Sequence, residues 1–291
     1  MTDPLVPRPR KVKCLSPVGF HSIAYSEWGD PTNPRVVLCV HGLTRMGSDF
    51  DRLARALAPD RRVVCVDVVG RGHSDRLRDP NYYAIPQYVA DMATLIARLD
   101  VEELDWVGTS MGGLIGMAVA GQPESPIRRL VLNDVGPKID AAAIERIGTY
   151  VGQPVSFGNL EEAVDFVSKV AAPFGLKARD DWRELVAPTI RQEGDRWVLR
   201  YDPRIAIPFK AATPQSTAAA EAVMWGLYDR ITAPTLVLRG ALSDLLSRET
   251  LAAMAARGPR AETKEFEGIG HAPTLMFPNE IEVVREFLLR S

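Results

Sequence analysis

The stretch Leu104-Asp-Trp-Val-Gly108-Thr-Ser110-Met-Gly112-Gly113-Leu-Ile-Gly-Met-Ala-Val-Ala120-Gly121 says most about how this chain folds. A short apolar run, a glycine-flanked turn and a run of small and apolar residues read as strand, turn and helix. Glycines two positions either side of Ser110 let strand and helix approach closely around a serine held on a strained turn. Gly113, Gly116, Ala118 and Ala120 extend the small-residue surface, so the helix can lie tightly on a sheet. A bare G-x-S-x-G is a weak signal; in this strand-turn-helix setting it is a strong one for an exposed nucleophile.

On either side of that stretch, β-branched runs recur, each ending at a loop: Arg35 to Val40, Arg62 to Asp67, Arg129 to Asn133 and Thr235 to Gly240. Continuous apolar runs of this length suit parallel strands covered on both faces. Between and after them lie stretches with helical spacing: Asp49 to Ala58, Ile85 to Leu99, Arg248 to Arg257 and Asn279 to Leu289. The alternation predicts an α/β fold with helices on both sides of a parallel sheet, and Lys11 to Trp28 reads as an antiparallel edge hairpin. From about Pro137 to Ala233 the alternation stops, helical patterns such as Leu160 to Val170 take over, and Trp182, Trp197 and Trp225 cluster. So aromatic a segment reads as a helical cap rather than a linker. The expected division is a core of residues 1–136 and 234–291 with a cap of residues 137–233.

Composition agrees with a globular protein. Of 291 residues, 46% are hydrophobic and 25% charged, and 35 basic against 37 acidic side chains give a net charge of -2. That balance lacks the basic excess that phosphate-driven nucleic-acid binding uses. The N-terminal MTDPLVPRPRKVK shows no apolar export signal, and no apolar run reaches the roughly 18 residues of a membrane span. Cys14, Cys39 and Cys65 are odd in number, two of them inside Val-rich runs, and read as reduced core residues. The expectation is a cytoplasmic monomer or small homo-oligomer with a small-molecule partner, and neither nucleic acid nor membrane.

A serine hydroxyl needs a general base near neutral pH, and imidazole suits that task. Among four histidines, only His271 follows Ser110, in Gly268-Ile-Gly-His271-Ala-Pro273. The base needs a carboxylate in turn. Asp134, after Arg129 to Asn133, and Asp244, after Thr235 to Gly240, both occupy strand-end loops; the reading favours Asp244, with Asp134 as competitor. Oxyanion donors are expected from the backbone N–H groups of Met111, beside the nucleophile, and Leu43, in the loop after Val40.

These motifs resemble those of the α/β-hydrolases, in particular the capped serine esterases. The resemblance rests on V-H-G at Val40 to Gly42, D-x-x-G-x-G-x-S at Asp67 to Ser74, G-T-S-M-G-G at Gly108 to Gly113, G-x-x-S-D at Gly240 to Asp244 and G-H-A-P at Gly270 to Pro273. It implies a mostly parallel eight-stranded sheet flanked by helices, a helical cap between strands six and seven, and a Ser110, Asp244, His271 triad. Epoxide hydrolases and haloalkane dehalogenases share the scaffold but use an aspartate nucleophile, so Ser110 points to acyl transfer and a carboxylesterase. No cofactor is called for, no metal-ligand spacing is evident, and Gly70 to Asp75 fails the dinucleotide pattern. The expected pocket residues are Arg45, Tyr150, Trp182, Trp225 and Leu245, with Phe157 and Trp197 as further aromatic candidates. They would line a site for small to medium apolar esters, lactones or short polyesters. The family's meta-cleavage-product hydrolases, which cut carbon–carbon bonds, and its non-enzymatic small-molecule receptors are the alternatives.

Overall fold

The computed structural model describes residues 4–290. The chain opens with a hairpin, β1 (Arg8–Ser16) and β2 (Gly19–Trp28). It then alternates β3 (Val36–Val40), α1 (Asp51–Leu57), β4 (Arg62–Asp67), α2 (Ile85–Leu99), β5 (Leu104–Thr109), α3 (Met111–Ala120) and β6 (Ile127–Asn133). Next comes an insertion: α4 (Ala141–Tyr150), β7 (Ser156–Phe157), α5 (Leu160–Val170), α6 (Arg179–Val186), β8 (Ile190–Glu193), β9 (Arg196–Leu199), α7 (Ala206–Lys210) and α8 (Pro214–Tyr228). The chain returns to the alternation with β10 (Thr235–Gly240), α9 (Arg248–Ala256), β11 (Glu262–Phe266) and α10 (Pro278–Leu289).

Eight strands form one sheet in the order β1-β2-β4-β3-β5-β6-β10-β11. Every neighbouring pair from β4 to β11 is parallel, and antiparallel pairing in this sheet is confined to β2, against β1 on one side and β4 on the other. Successive side chains on a strand face opposite ways, so an all-apolar strand feeds two cores. Val36, Leu38 and Val40 of β3 pack with Met92 and Leu95 of α2 and Ile115 of α3. Val37 and Cys39 pack on the other face with Leu53 and Leu57 of α1 and Val284 and Phe287 of α10. Cys14, Cys39 and Cys65 are all buried and unbridged. No helix of the described residues is long and apolar enough to cross a membrane.

The insertion leaves the sheet after β6 and returns to it at β10, and it is not purely helical as the sequence suggests. It holds a three-stranded antiparallel sheet, β7-β9-β8. The β8–β9 hairpin turns at Gly194 and Asp195, with Gly194 in the left-handed region at φ 63°, where a side chain is disfavoured. That Gly-Asp pair between Ile190 and Leu199 is a legible hairpin signal, hidden by how short the strands either side are, four residues each. The insertion has a core of its own, with Phe157, Val164, Trp182 and Leu185. Its Ile147, Val151, Tyr201 and Ile205 instead join the main core beside β3 and α3.

Candidate active site

Ser110 sits between β5 and α3 with φ 52° and ψ -116°, a conformation that costs a side-chain-bearing residue energy and persists only where its surroundings enforce it. The flanking glycines show how. A Cβ on Gly108 would stand 2.3 Å from the Gly112 carbonyl oxygen, and one on Gly112 would stand 1.9 Å from that of Val40. Strand β5 and helix α3 therefore meet backbone to backbone. The Ser110 N–H donates to Asn133 O (3.0 Å), while Ser110 O accepts from Gly113 and Leu114 N–H (2.8 and 3.1 Å).

His271 lies on the loop between β11 and α10, and its Nε2 accepts from Ser110 Oγ at 3.0 Å. Its Nδ1 donates to Asp134 Oδ2 at 2.7 Å. Asp134 is fully buried, and its carboxylate also accepts from Gly240 N–H (2.9 Å) and Ser243 Oγ (2.6 Å). The expectation that Asp244 holds the histidine is not met. Asp244 turns outward to pair with Arg146 of α4, at 2.6 and 2.9 Å, and its side chain is 42% exposed. Partial burial is the largest single influence and works against its charge, but the hydrogen bond and the charge of Arg146, with smaller backbone and His271 contributions, together hold its carboxyl below the usual carboxylate range. Strand order explains the change of acid: β6 lies directly between β5 and β10, so the loop leaving β6 stands beside Ser110. The loop after β10 contributes donors to Asp134 instead of an acid of its own.

The loop after β3 lies against Ser110, with Gly42 placed so that a Cβ there would be 3.7 Å from Ser110 Cβ. His41 is buried and accepts from Val68 N–H at Nε2 (2.9 Å), so Nδ1 carries the proton and donates to Gly42 O (2.7 Å). Burial pushes this imidazole down to about 3, and it stays neutral at ordinary pH. Because the peptide is trans and planar, fixing the Gly42 carbonyl turns the Leu43 N–H the opposite way. Met111 opens α3, so its N–H belongs to the first turn, where helix N–H groups have no intrahelical acceptor. Leu43, which lines the cavity with Ser110, and Met111, which follows Ser110 in the chain, are the residues whose N–H groups the sequence offers as oxyanion donors.

A sequence model of the alpha/beta hydrolase fold matches residues 35–275. The chain belongs to the alpha/beta hydrolase family. A 3-hydroxybutyrate-oligomer hydrolase from Cupriavidus necator is 53% identical over 285 residues, covering 97% of each chain. The crystal structure of an alpha/beta hydrolase from Novosphingobium aromaticivorans is 36% identical and superimposes with a TM-score of 0.86, covering 100% of both chains.

In this alpha/beta hydrolase the cavity above Ser110 is about 120 Å³ and is walled by both the core and the insertion. Arg45 and Tyr150 line it. Arg45 is not free for a substrate carboxylate, since it forms a bidentate pair with Asp49 (2.8 and 2.6 Å) and donates to Leu185 O (2.9 Å). Trp182, Trp225 and Leu245 do not line it. Trp182 stacks on Phe174 inside the insertion core, Trp225 packs edge-on against Tyr228 under Arg257, and Leu245 is buried in the main core. Phe157 and Trp197 also belong to the insertion core. The apolar wall comes instead from Phe166, Val167 and Val170 of α5, Phe174, and Leu199 and Tyr201 at and beyond the end of β9. The helical spacing of α5 is visible in the sequence, which carries no sign of which of its faces meets Ser110.

One group of metal-ligand types is assembled by folding from distant segments: Cys14, His21 and Asp91, all buried between the hairpin and α2. Its carboxylate is already engaged by His21 Nε2 (3.0 Å) and Gln87 Nε2 (2.7 Å). None of the three lines the Ser110 cavity.

Proposed function

We propose that the protein is a serine hydrolase of short oligomeric esters of small hydroxy acids, acting through an acyl-enzyme on Ser110. The observation that carries this is the continuous line Ser110 Oγ, His271 Nε2, His271 Nδ1, Asp134 Oδ2, with bonds of 3.0 and 2.7 Å beneath a mostly apolar cavity. Ser110 Oγ attacks the ester carbonyl and its proton passes to His271 Nε2. The tetrahedral oxyanion accepts from Leu43 and Met111 N–H, donors that need no reorganisation as charge develops. Collapse breaks the ester C–O bond, and the alcohol leaves with the proton from His271. Water then repeats the sequence on the acyl-enzyme and restores Ser110. Asp134 keeps the proton on Nδ1 and stabilises the imidazolium formed in each half-reaction.

The preference for an oligomeric hydroxy ester is supported by the Cupriavidus relative, whose similarity runs through nearly the whole of both chains. The cavity agrees in size: about 120 Å³ is small beside the roughly 300–1,000 Å³ of drug-sized sites, and suits one short acyl unit at a time. The insertion acts in this reading as a cap that selects the acyl chain. The test is steady-state hydrolysis of 3-hydroxybutyrate dimer and trimer beside p-nitrophenyl butyrate and a vinylogous diketone. Turnover of the oligomers and the simple ester, abolished in Ser110→Ala, is expected. Turnover of the diketone alone would replace the ester reading with carbon–carbon cleavage, and binding without any turnover would replace it with a receptor.

A further inference from the structure

The Asp67 to Ser74 loop carries a side chain that the acyl-transfer scheme leaves unused. Arg71 is among the largest fully buried side chains of the protein, 1% exposed. Removing a guanidinium from water is costly unless an anion or a full set of acceptors replaces the water. Here no carboxylate pairs with it among the described residues. Its Nε donates to Leu43 O (2.8 Å), Nη1 to Val69 O (2.8 Å) and Tyr88 Oη (2.9 Å), and Nη2 points to Met111 Sδ (3.6 Å). The rings of Tyr83 and Tyr88 flank the group, with centroids 5.6 and 5.1 Å away. Arg71 thus touches the Leu43 carbonyl and the Met111 thioether, of the two residues whose N–H groups would receive the developing oxyanion.

We infer that Arg71 is a positioning residue of the oxyanion site, clamping the Leu43 segment against the Met111 side chain, and that its unneutralised charge favours the anionic tetrahedral state over the neutral ester. The clamp works through peptide planes. His41 Nδ1 holds the carbonyl before Leu43, and Arg71 Nε holds Leu43's own carbonyl. Both peptide units bordering Leu43 are therefore pinned: a flip that would turn its N–H from the site must break the bond from neutral His41, while the charge-assisted Arg71 bond holds the following peptide in place. The segment carrying the arginine is itself anchored from the insertion side, since Gly72 N–H donates to Arg200 O (2.7 Å) and Asp202 N–H to Gly70 O (2.7 Å). The oxyanion loop and the insertion are joined through this segment, beside the direct bond from Arg45 to Leu185 O.

This inference rests on the serine-hydrolase reading, which is tested separately by fluorophosphonate labelling of the wild type and its loss in Ser110→Ala. Arg71→Met removes charge and clamp with similar bulk; Arg71→Lys keeps charge without the planar fork; Tyr88→Phe removes one anchor of the fork. Arg71→Met should lower kcat by roughly 10- to 100-fold with KM within about threefold, the pattern of stabilisation exerted only in the transition state. Arg71→Lys and Tyr88→Phe should fall between Arg71→Met and wild type. A boronic acid, which becomes a tetrahedral anion on Ser110, should lose affinity in parallel with kcat, while a neutral ketone analogue that cannot add to serine should not. Equal weakening of both inhibitors, or a change in KM alone, would overturn the proposal. Should Arg71→Met fail to fold, unchanged kcat in both Arg71→Lys and Tyr88→Phe would overturn it as well.

Discussion

At Asp134 a carboxylate is buried completely, and three donors converge on it: His271 Nδ1, Gly240 N–H and Ser243 Oγ. Asp244, in the loop that follows Gly240, has a different occupation, bridging the insertion to the core through Arg146. The two aspartates therefore respond differently to the same change. Asp134→Asn presents an amide where Nδ1–H requires an acceptor, favours the wrong tautomer of His271, and should lower kcat by roughly 10³- to 10⁴-fold on p-nitrophenyl butyrate. Asp244→Asn loses only a half-exposed ion pair, worth at most about 1 kcal/mol, and should leave kcat within a fewfold of wild type. The reverse ranking in steady-state assays would return the acid to the loop after β10.

Among the elements, the helices make contrasting demands on the residues at their ends. Helix α3 begins where Gly112 passes the Val40 carbonyl with no room for a Cβ, so Gly112→Ala should destabilise the protein by about 3 kcal/mol or more in urea unfolding. Gly226, exposed near the end of α8 with nothing within 4 Å of a built Cβ, meets no such obstacle. Gly226→Ala should stabilise by about 0.5–1 kcal/mol, through helix propensity and a less flexible unfolded chain. At the start of α1, Asp51 is half-buried with Asp49 and Glu184 nearby; burial first and these like charges second push its carboxyl up to about 7, against the opposing pull of Arg55. The folded state then holds a proton that the unfolded chain releases near 4, so stability from this group falls as pH rises from about 4 through 7. Asp51→Asn carries no such titration. Its urea midpoint relative to wild type should climb between pH 4 and pH 8, and a flat difference would show that Asp51 ionises freely in the fold.

Across the whole molecule, the proposed reaction draws its selectivity from the surface where α5 closes over Ser110. Val170→Phe should fill the cavity and cut kcat/KM for a butyryl or longer ester by roughly 10- to 100-fold while sparing an acetyl ester, as an assay across graded acyl lengths would show. Equal losses for all lengths would place the acyl chain elsewhere. The sheet, its flanking helices, Ser110 and His271 are legible in the sequence because each rests on local chemistry. Apolar runs declare buried strands, glycines at 108 and 112 declare a strained turn, and His271 is the sole histidine after Ser110. The acid and the pocket are not, because they depend on which strands become neighbours. Asp134 and Asp244 each follow an apolar strand of similar pattern, and only the placement of β6 beside β5 brings the first to His271. The tryptophans draw attention by size, yet a large aromatic stabilises most where it is enclosed, and Trp182 is spent inside the insertion's own core. Patterns a few residues long were enough to specify the class of fold, the serine and its histidine. The carboxylate behind that histidine, the walls of the cavity and the buried Arg71 emerge only on folding, because each is a meeting of segments that share no local pattern.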